Sequence, residues 1–257
     1  MVKLTRDPGH GGKDSGAVND QTGLKEKDVV LKISNSLGWV FDNMCEGVSH
    51  NCTRYEDKFV ELGNRCNIAN RYGADFFASF HVDSADAIGK RFTTYIHPNA
   101  PKRTRDISQR LHDEMWNNFY SKFGVFTNGG VLTGDYAVLR DTNMDACLFE
   151  NGFINNIEHV KLLSQFNEGG FLDQLVMAYA RAFSKVFGFK LKENQNNGGN
   201  QMTEQNKNNQ LSDWAKPAWG WALEKGLVDK TVNPQKVLTT EELIGILMQY
   251  HLRADRY

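Results

Sequence analysis

Two histidines and two glutamates in four separate stretches could together form a hydrolytic metal site: His10, Glu26, His81 and Glu150. Zinc in such a site takes three protein ligands from His, Glu or Asp and keeps an open position for water. A further carboxylate that does not bind the metal moves protons during the reaction. The four residues therefore match, in number and kind, the groups that metal-assisted hydrolysis requires.

His10 lies in an irregular loop, DPGHGG over residues 7 to 12, after a strand-like run at 2 to 6. One proline fixes a backbone torsion and three glycines free the others, so the loop is predicted to present His10 at a strand end. A glycine-rich loop after a strand can also cradle phosphate. Because the chain has no G-x-G-x-x-G and no G-K-[ST], nucleotide binding is disfavoured.

Glu26 is predicted to lie at or just before the N-terminus of a helix. That helix is indicated by apolar residues at helical spacing, namely Val30, Ile33, Leu37, Val40 and Met44. The helix dipole favours a carboxylate at this position in any case. The sequence alone therefore leaves two interpretations of Glu26, a capping charge and a metal ligand.

His81 and Glu150 each end an apolar run that is typical of a buried parallel strand. In open α/β sheets the functional sites lie at the carboxyl ends of the strands. A buried glutamate is also costly without a partner or a function. Both residues are therefore candidates for one site at one edge of a sheet.

The elements that must position these residues alternate along the chain, which predicts an α/β fold. The expected architecture is a mostly parallel twisted sheet of about six strands flanked by helices. Strands are predicted at 2 to 6, 48 to 53, 75 to 80, 90 to 96, 136 to 140 and 146 to 150. Helices are predicted at 28 to 44, 58 to 72, 104 to 121, 156 to 166 and 170 to 187.

Four stretches in this order, DPGHGG, GLKEKD, ADFFASFH and NMDACLFENGFINN, resemble the zinc-dependent N-acetylmuramoyl-L-alanine amidases of the Amidase_3 type. Such enzymes occur in bacterial autolysins and phage endolysins. The resemblance covers about residues 2 to 187 and includes Thr53-Arg54, Leu62 with Arg65, Ala69-Asn70 and Val138-Leu139-Arg140. One departure is Asp83, because the family usually has Asn there, and this leaves the role of residue 83 open.

The resemblance implies a Zn²⁺ ion held by His10, Glu26 and His81, with Glu150 as the catalytic general base and acid. The implied substrate is peptidoglycan, cut at the amide between N-acetylmuramic acid and L-alanine of the stem peptide. Two alternatives remain at this stage: a zinc carboxypeptidase or endopeptidase of the stem peptide, and a non-catalytic cell-wall-binding protein.

The composition excludes several classes of partner. The chain has 257 residues, 40% of them hydrophobic, and a formal charge of −1. No block of like charge exists, which argues against a nucleic-acid partner. No apolar stretch approaches the roughly 18 residues of a membrane span, and no signal peptide precedes the first motif. We expect synthesis in the host cytoplasm and action at the wall after release, as a phage endolysin or an autolysin freed by lysis.

The chain is predicted to divide into a catalytic domain (1–190), a linker (191–210) and a small helical domain (211–257). The linker is rich in Asn, Gln and Gly, so it cannot bury enough apolar surface to fold. The last segment carries Trp214, Trp219 and Trp221 and resembles one S-layer-homology motif. That resemblance implies binding to a secondary cell-wall polymer. A structural cap is the alternative, and so short a domain is expected to pack on the catalytic domain or to self-associate.

The four cysteines show no C-x-x-C pair and are predicted to be reduced. Cys66 and Cys147 are expected in the core, while Cys45 and Cys52 flank a turn and could pair in an oxidising setting. The other histidines are predicted to bind no metal: His50 and His97 near turns, and His112, His159 and His251 on helix surfaces. The glycine-rich region at 124 to 135 is predicted to be a groove wall or a connecting loop.

Overall fold

The computed structural model describes residues 1–84, 89–167 and 169–192. Residues Met1–Lys192 form one compact unit with a six-stranded, mostly parallel sheet flanked by helices, so the predicted fold class is confirmed. The linker at 191–210, apart from its first two residues, the helical tail at 211–257 and His251 lie outside the described residues. No helix in the described ranges is long and apolar enough to cross a lipid bilayer.

The strands are β1 (Val2–Pro8), β2 (Cys45–Glu46), β3 (Val48–Cys52), β4 (Phe76–Asp83), β5 (Arg91–Ile96), β6 (Thr127–Thr133), β7 (Asp145–Phe153) and β8 (Lys190–Leu191). The helices are α1 (Glu26–Met44), α2 (Leu62–Tyr72), α3 (Lys102–Asn118), α4 (Ala137–Arg140), α5 (Ile157–Leu163) and α6 (Phe171–Phe187). The main sheet has the order β3-β1-β4-β7-β5-β6, in which only the β5–β7 pair is antiparallel. Strands β2 and β8 form a separate antiparallel pair.

The sheet is buried on both faces, which explains the uninterrupted apolar runs. Successive side chains of a strand point to opposite faces. Accordingly, Phe76 belongs to the large core under α1, α3 and α6, whereas Phe77 belongs to a smaller cluster under α2 and α4. The parallel order β1-β4-β7 brings the carboxyl halves of these three strands to one side of the sheet.

Two predictions about the segment before β7 were wrong. Residues 136 to 140 are not a strand, because Ala137–Arg140 form one helical turn that buries Val138 and Leu139. A single turn is too short to show helical periodicity. Conversely, the region at 124 to 135 is not a plain connecting loop, since most of it is the edge strand β6. Gly129 allows β6 to approach β5 closely, because a Cβ there would lie 2.1 Å from Thr93 Oγ1.

The prediction that His112 and His159 lie on helix surfaces was also wrong. Both are fully buried, and each ring stacks on a phenylalanine. His159 Nδ1 accepts a hydrogen bond from the Phe153 backbone N–H, and its Nε2 donates to the Val125 carbonyl. Because both ring nitrogens are engaged within the core, this histidine stabilises the structure around β7. Cys66 and Cys147 are buried as predicted, and all four cysteines are free thiols.

Candidate metal and catalytic site

The loop after β1 brings the His10 backbone close to β4. His10 has a positive φ of 61°, a conformation that non-glycine residues seldom adopt. A Cβ on Gly9 would lie 2.2 Å from His81 Cε1, so the approach of this loop to the His81 ring requires glycine. At Gly16 a Cβ would lie 2.5 Å from Glu26 Oε2. The glycines therefore allow three elements to converge on one point.

Two buried arginines hold this loop through its backbone carbonyls. Arg54 donates to the carbonyls of Pro8 (3.0 Å), Gly9 (2.8 Å) and Lys27 (2.9 Å). Arg65 donates to the carbonyls of Pro8 (2.8 Å) and His10 (2.6 Å). Both belong to the segments that carry the family resemblance, but their function is visible only in the structure.

Asp7 neutralises part of this buried positive charge. Its carboxylate accepts hydrogen bonds from Thr53 Oγ1 (2.6 Å), Ser79 Oγ (2.7 Å) and Arg65 Nη1 (2.8 Å). Burial by itself would raise the pKa of Asp7, but the charge of Arg65 and these hydrogen bonds outweigh it and lower the pKa below the usual value. Asp7 is therefore ionised and fixes the base of the loop.

We expect Arg54→Ala to reduce the free energy of unfolding by more than about 3 kcal/mol, because it removes a buried guanidinium that donates to the Gly9 and Lys27 carbonyls. Arg54→Lys should cause a smaller loss, since an ammonium cannot reproduce the planar fork. Urea unfolding followed by circular dichroism measures both. Arg110→Ala, at an exposed position of α3, is the control. Equal stability of Arg54→Ala and the control would contradict this function of Arg54.

Glu26 lies between the two histidines, although it is far from His81 in the sequence. Its Oε2 is 3.1 Å from His10 Nε2, and its Oε1 is 2.9 Å from His81 Nδ1. The same oxygens accept from the backbone N–H groups of Ala17 and Val82. The carboxylate therefore faces the histidines rather than capping its own helix.

Charge and hydrogen bonding keep Glu26 ionised despite its burial. Burial would raise the pKa of Glu26, but hydrogen bonds and charge from His10 and His81 outweigh it and hold the pKa far below the usual range. Burial would likewise lower the pKa of His10, but Glu26 and Asp14 outweigh it and raise that pKa. Asp14 Oδ2 lies 2.9 Å from His10 Nδ1 and orients the ring.

His10, Glu26 and His81 form a donor set that fits a metal ion. One donor atom from each residue lies within 4.8 Å of the other two. Two imidazole nitrogens and one carboxylate oxygen match the ligands that zinc takes in hydrolytic sites. Among the described residues, no other group of three or more His, Cys, Asp or Glu side chains has this arrangement.

Glu150 lies beside this cluster on the neighbouring strand. It pairs in register with His81 of β4 and with Thr93 of β5. Its side chain is buried, and Oε2 has no hydrogen-bond partner among the described residues. Burial raises the pKa of Glu150 well above its usual value, and the nearby charges of Glu26 and Asp83 add to this. A buried carboxyl with a free oxygen is suited to exchange protons with a substrate.

Asn151, the residue after Glu150, holds strand β7 in place through side-chain hydrogen bonds. The sequence did not mark this residue as important. Asn151 Nδ2 donates to the carbonyl of His81 (3.0 Å), and its Oδ1 accepts from the hydroxyls of Tyr120 (2.8 Å) and Tyr179 (2.6 Å). The two bonds from the tyrosine hydroxyls are buried in the core. They hold β4 and β7, and hence His81 and Glu150, in a fixed relation.

The four predicted site residues line one cavity of about 550 Å³. Asp83 also lines it, and burial raises the pKa of its carboxyl. One wall is formed by residues 59 to 62 and the other by residues 136 to 138. Burial and the charge of Glu150 raise the pKa of Tyr136 to about 12, so the phenol is neutral at physiological pH. Sequence reasoning missed both walls, because neither the short segment before α2 nor the single turn of α4 has a periodicity that marks it.

The Amidase_3 profile, described as N-acetylmuramoyl-L-alanine amidase, matches residues 6–182. The chain belongs to this amidase family. The matched segment contains all four candidate site residues, His10, Glu26, His81 and Glu150.

Individual relatives of this amidase chain include bacterial and phage proteins. The sporulation-specific N-acetylmuramoyl-L-alanine amidase of Bacillus subtilis (strain 168) is 36% identical over 190 residues, which cover 74% of this chain and 70% of that protein. The endolysin of Bacillus phage SPP1 is 36% identical over 195 residues, covering 75% and 69%. The catalytic domain of CwlV, an N-acetylmuramoyl-L-alanine amidase from Bacillus (Paenibacillus) polymyxa var. colistinus, superposes with a TM-score of 0.64 at 26% identity, covering 74% and 100%.

Proposed function

We propose that this amidase hydrolyses the amide between N-acetylmuramic acid and L-alanine in peptidoglycan, with zinc held by His10, Glu26 and His81. The observation that carries this proposal is the convergence of their donor atoms, within 4.8 Å of one another, beside the buried carboxyl of Glu150. Membership of the amidase family supports the choice of bond. The donor set supports the choice of metal.

The protein residues supply the proton transfers. Zinc, when bound, lowers the pKa of water toward 7 and polarises a carbonyl oxygen. Glu150 Oε2, which has no other partner, accepts a proton from the attacking water. The same carboxyl then donates a proton to the departing nitrogen of L-alanine. Water and the amide thus give the lactyl carboxylic acid of the glycan and a free amino terminus on the stem peptide.

Asp14 is proposed to position His10 rather than to bind metal. Its Oδ2 contacts His10 Nδ1, while Nε2 faces Glu26. We expect Asp14→Ala to weaken zinc affinity roughly 10- to 100-fold, as loss of such an outer carboxylate commonly does. Competition with a fluorescent zinc chelator measures this affinity. Asp20→Ala, at an exposed position outside the site, is the control. Zinc affinity equal to that of the control would contradict this function of Asp14.

Mass spectrometry of fragments from purified peptidoglycan tests the reaction. We expect stem peptides with a new L-alanine amino terminus, no release after chelation, and recovery when zinc is added back. A new amino terminus inside the stem would instead indicate the alternative carboxypeptidase or endopeptidase. Binding to walls with no released fragment would indicate a non-catalytic wall-binding protein.

We further propose that the chain acts as a phage endolysin. Its similarity to the endolysin of phage SPP1 supports this role, although the similarity to a sporulation amidase is equal in identity. The test is to express the full chain in the cytoplasm of a susceptible bacterium. Rapid lysis is expected only after the membrane is permeabilised from outside. No lysis after permeabilisation would contradict the endolysin role.

The division into a catalytic domain (1–190), a linker (191–210) and a wall-binding domain (211–257) is also a proposal. Its support is the change of composition after Lys192 and the three tryptophans that follow. We expect the full chain to co-sediment with purified cell walls, and a chain ending at Lys192 to remain largely in the supernatant. Extraction of secondary wall polymers from the walls should abolish binding of the full chain. Equal sedimentation of both chains would contradict a wall-binding tail.

A further inference from the structure

A second cavity lies beside the catalytic cavity and shares one wall with it. Its volume is about 360 Å³, and the shared wall consists of Phe59, Val60 and Glu61. On the far side of that wall the cavity is lined by Lys58, Asn64, Asn67 and Arg71. We call this second cavity the α2 groove, because Asn64, Asn67 and Arg71 of its lining lie on α2.

Three polar residues of the α2 groove share one face of the helix. Asn64, Asn67 and Arg71 follow each other at spacings of three and four residues, which places them in one row. The opposite face of α2, with Arg65 and Cys66, is buried. In the described part of the chain, no hydrogen bond or ion pair engages the three exposed side chains. The row therefore presents two amides and a guanidinium that are free to bind a ligand.

The two cavities differ in charge. The catalytic cavity is lined by six carboxyl side chains: Asp7, Asp14, Glu26, Glu61, Asp83 and Glu150. Arg65 is the one lysine or arginine among its described lining residues. The α2 groove has two, Lys58 and Arg71, against the single carboxylate of Glu61. Arg65 of the catalytic cavity is already paired with Asp7, whereas Arg71 of the α2 groove is exposed, so the groove can offer a cation to a carboxylate of the substrate.

The length of the polar row on α2 agrees with that of a short extended peptide. Residues 64 and 71 are seven positions apart on α2, or about 10 Å at 1.5 Å per residue. Three residues of an extended peptide also span about 10 Å. We infer that the α2 groove binds the stem peptide beyond L-alanine, with a free carboxylate of that peptide bound by Arg71. The inference rests on the proposed amidase reaction for the direction in which the peptide leaves the site.

The test compares two synthetic substrates and three variants. The first substrate is N-acetylmuramoyl-L-alanine with its carboxyl group capped as a neutral amide, and the second carries a four-residue stem with free carboxylates. Arg71→Gln is expected to lower kcat/KM for the long substrate about five-fold, the effect of losing one exposed charge contact. The change should lie in KM and should spare the short substrate. Arg71→Glu should lower kcat/KM for the long substrate further. Arg110→Glu on α3 should leave that kcat/KM unchanged.

Binding measured apart from catalysis separates this inference from the proposed reaction. Calorimetry with the Glu150→Gln protein should show tighter binding of the long substrate than of the short one, and Arg71→Gln in that background should remove most of the difference. Equal binding of both substrates would overturn the inference even if hydrolysis occurs. A lower melting temperature of Arg71→Gln with unchanged substrate preference would also overturn the inference. Arg71 would then only stabilise the C-terminus of α2 through the helix dipole.

Discussion

Glu150→Gln is expected to lower kcat by about 100- to 10,000-fold, the usual contribution of a positioned general acid and base. The amide has nearly the same shape as the carboxyl, but it can neither accept the proton of the attacking water nor return one to the leaving amine. Glu150 Oε2 makes no hydrogen bond within the described structure, so no contact at that atom is lost. Release of soluble amino termini from purified peptidoglycan measures the effect.

The zinc content of the Glu150→Gln protein shows whether a loss of activity comes from the missing carboxyl or from a disturbed metal site. The Glu150→Gln protein should retain zinc, since Glu150 is not one of the three donors. The exposed residue Glu158 of α5 offers a matched control, and Glu158→Gln should be fully active. Near-normal activity of Glu150→Gln would remove this carboxyl from the mechanism. Loss of activity together with zinc would instead indicate that the variant disturbs the metal site.

His81→Ala is expected to abolish zinc binding, because it leaves only His10 and Glu26 as donors from the cluster. The zinc content of the purified protein, measured by elemental analysis, should fall to nearly none. The parent chain should contain about one zinc per chain, as expected for a single catalytic site. His10→Ala should have the same effect. In both variants the remaining histidine still contacts Glu26, so the loss concerns the ion rather than the fold.

Thermal unfolding provides a second measurement of the loss of zinc binding in His81→Ala. Free zinc at 100 times its dissociation constant should stabilise the parent chain by about 2.7 kcal/mol. The His81→Ala chain should show no such stabilisation. His97→Ala, which removes a histidine outside the cluster, is the control. It should retain both the bound zinc and the zinc-dependent stabilisation. A zinc-dependent shift that persists in His81→Ala would contradict the proposed ligand set.

Much of the fold could be predicted because its elements have strong periodic patterns. The helices α1 and α6 are long and amphipathic, and β4 and β7 are continuous apolar runs, so each was placed to within a few residues. The segments that were misassigned lack such patterns. Helix α4 has only four residues, and β6 is an edge strand whose glycines are typical of loops. Tertiary packing, rather than local propensity, decides their structure.

The buried histidines show a second limit of sequence reasoning. His112 and His159 stand among polar neighbours in the sequence, which predicts exposure. In the structure they are buried, because Thr94, Asn128 and backbone groups satisfy both ring nitrogens. The energetic cost of burying a polar ring depends on partners that are distant along the chain. No local pattern reports those partners.

The sequence by itself determined the kinds of residue available for chemistry, the strands that carry His81 and Glu150 and the α/β class, because these depend on residue type and local periodicity. Only the tertiary structure decided that the Glu26 carboxylate faces both histidines, that Arg54 and Arg65 hold the loop of His10, and that Glu150 is buried with a free oxygen. These features arise from contacts between residues far apart in the chain. Their distances and burial exist only once the sheet has brought the strands together.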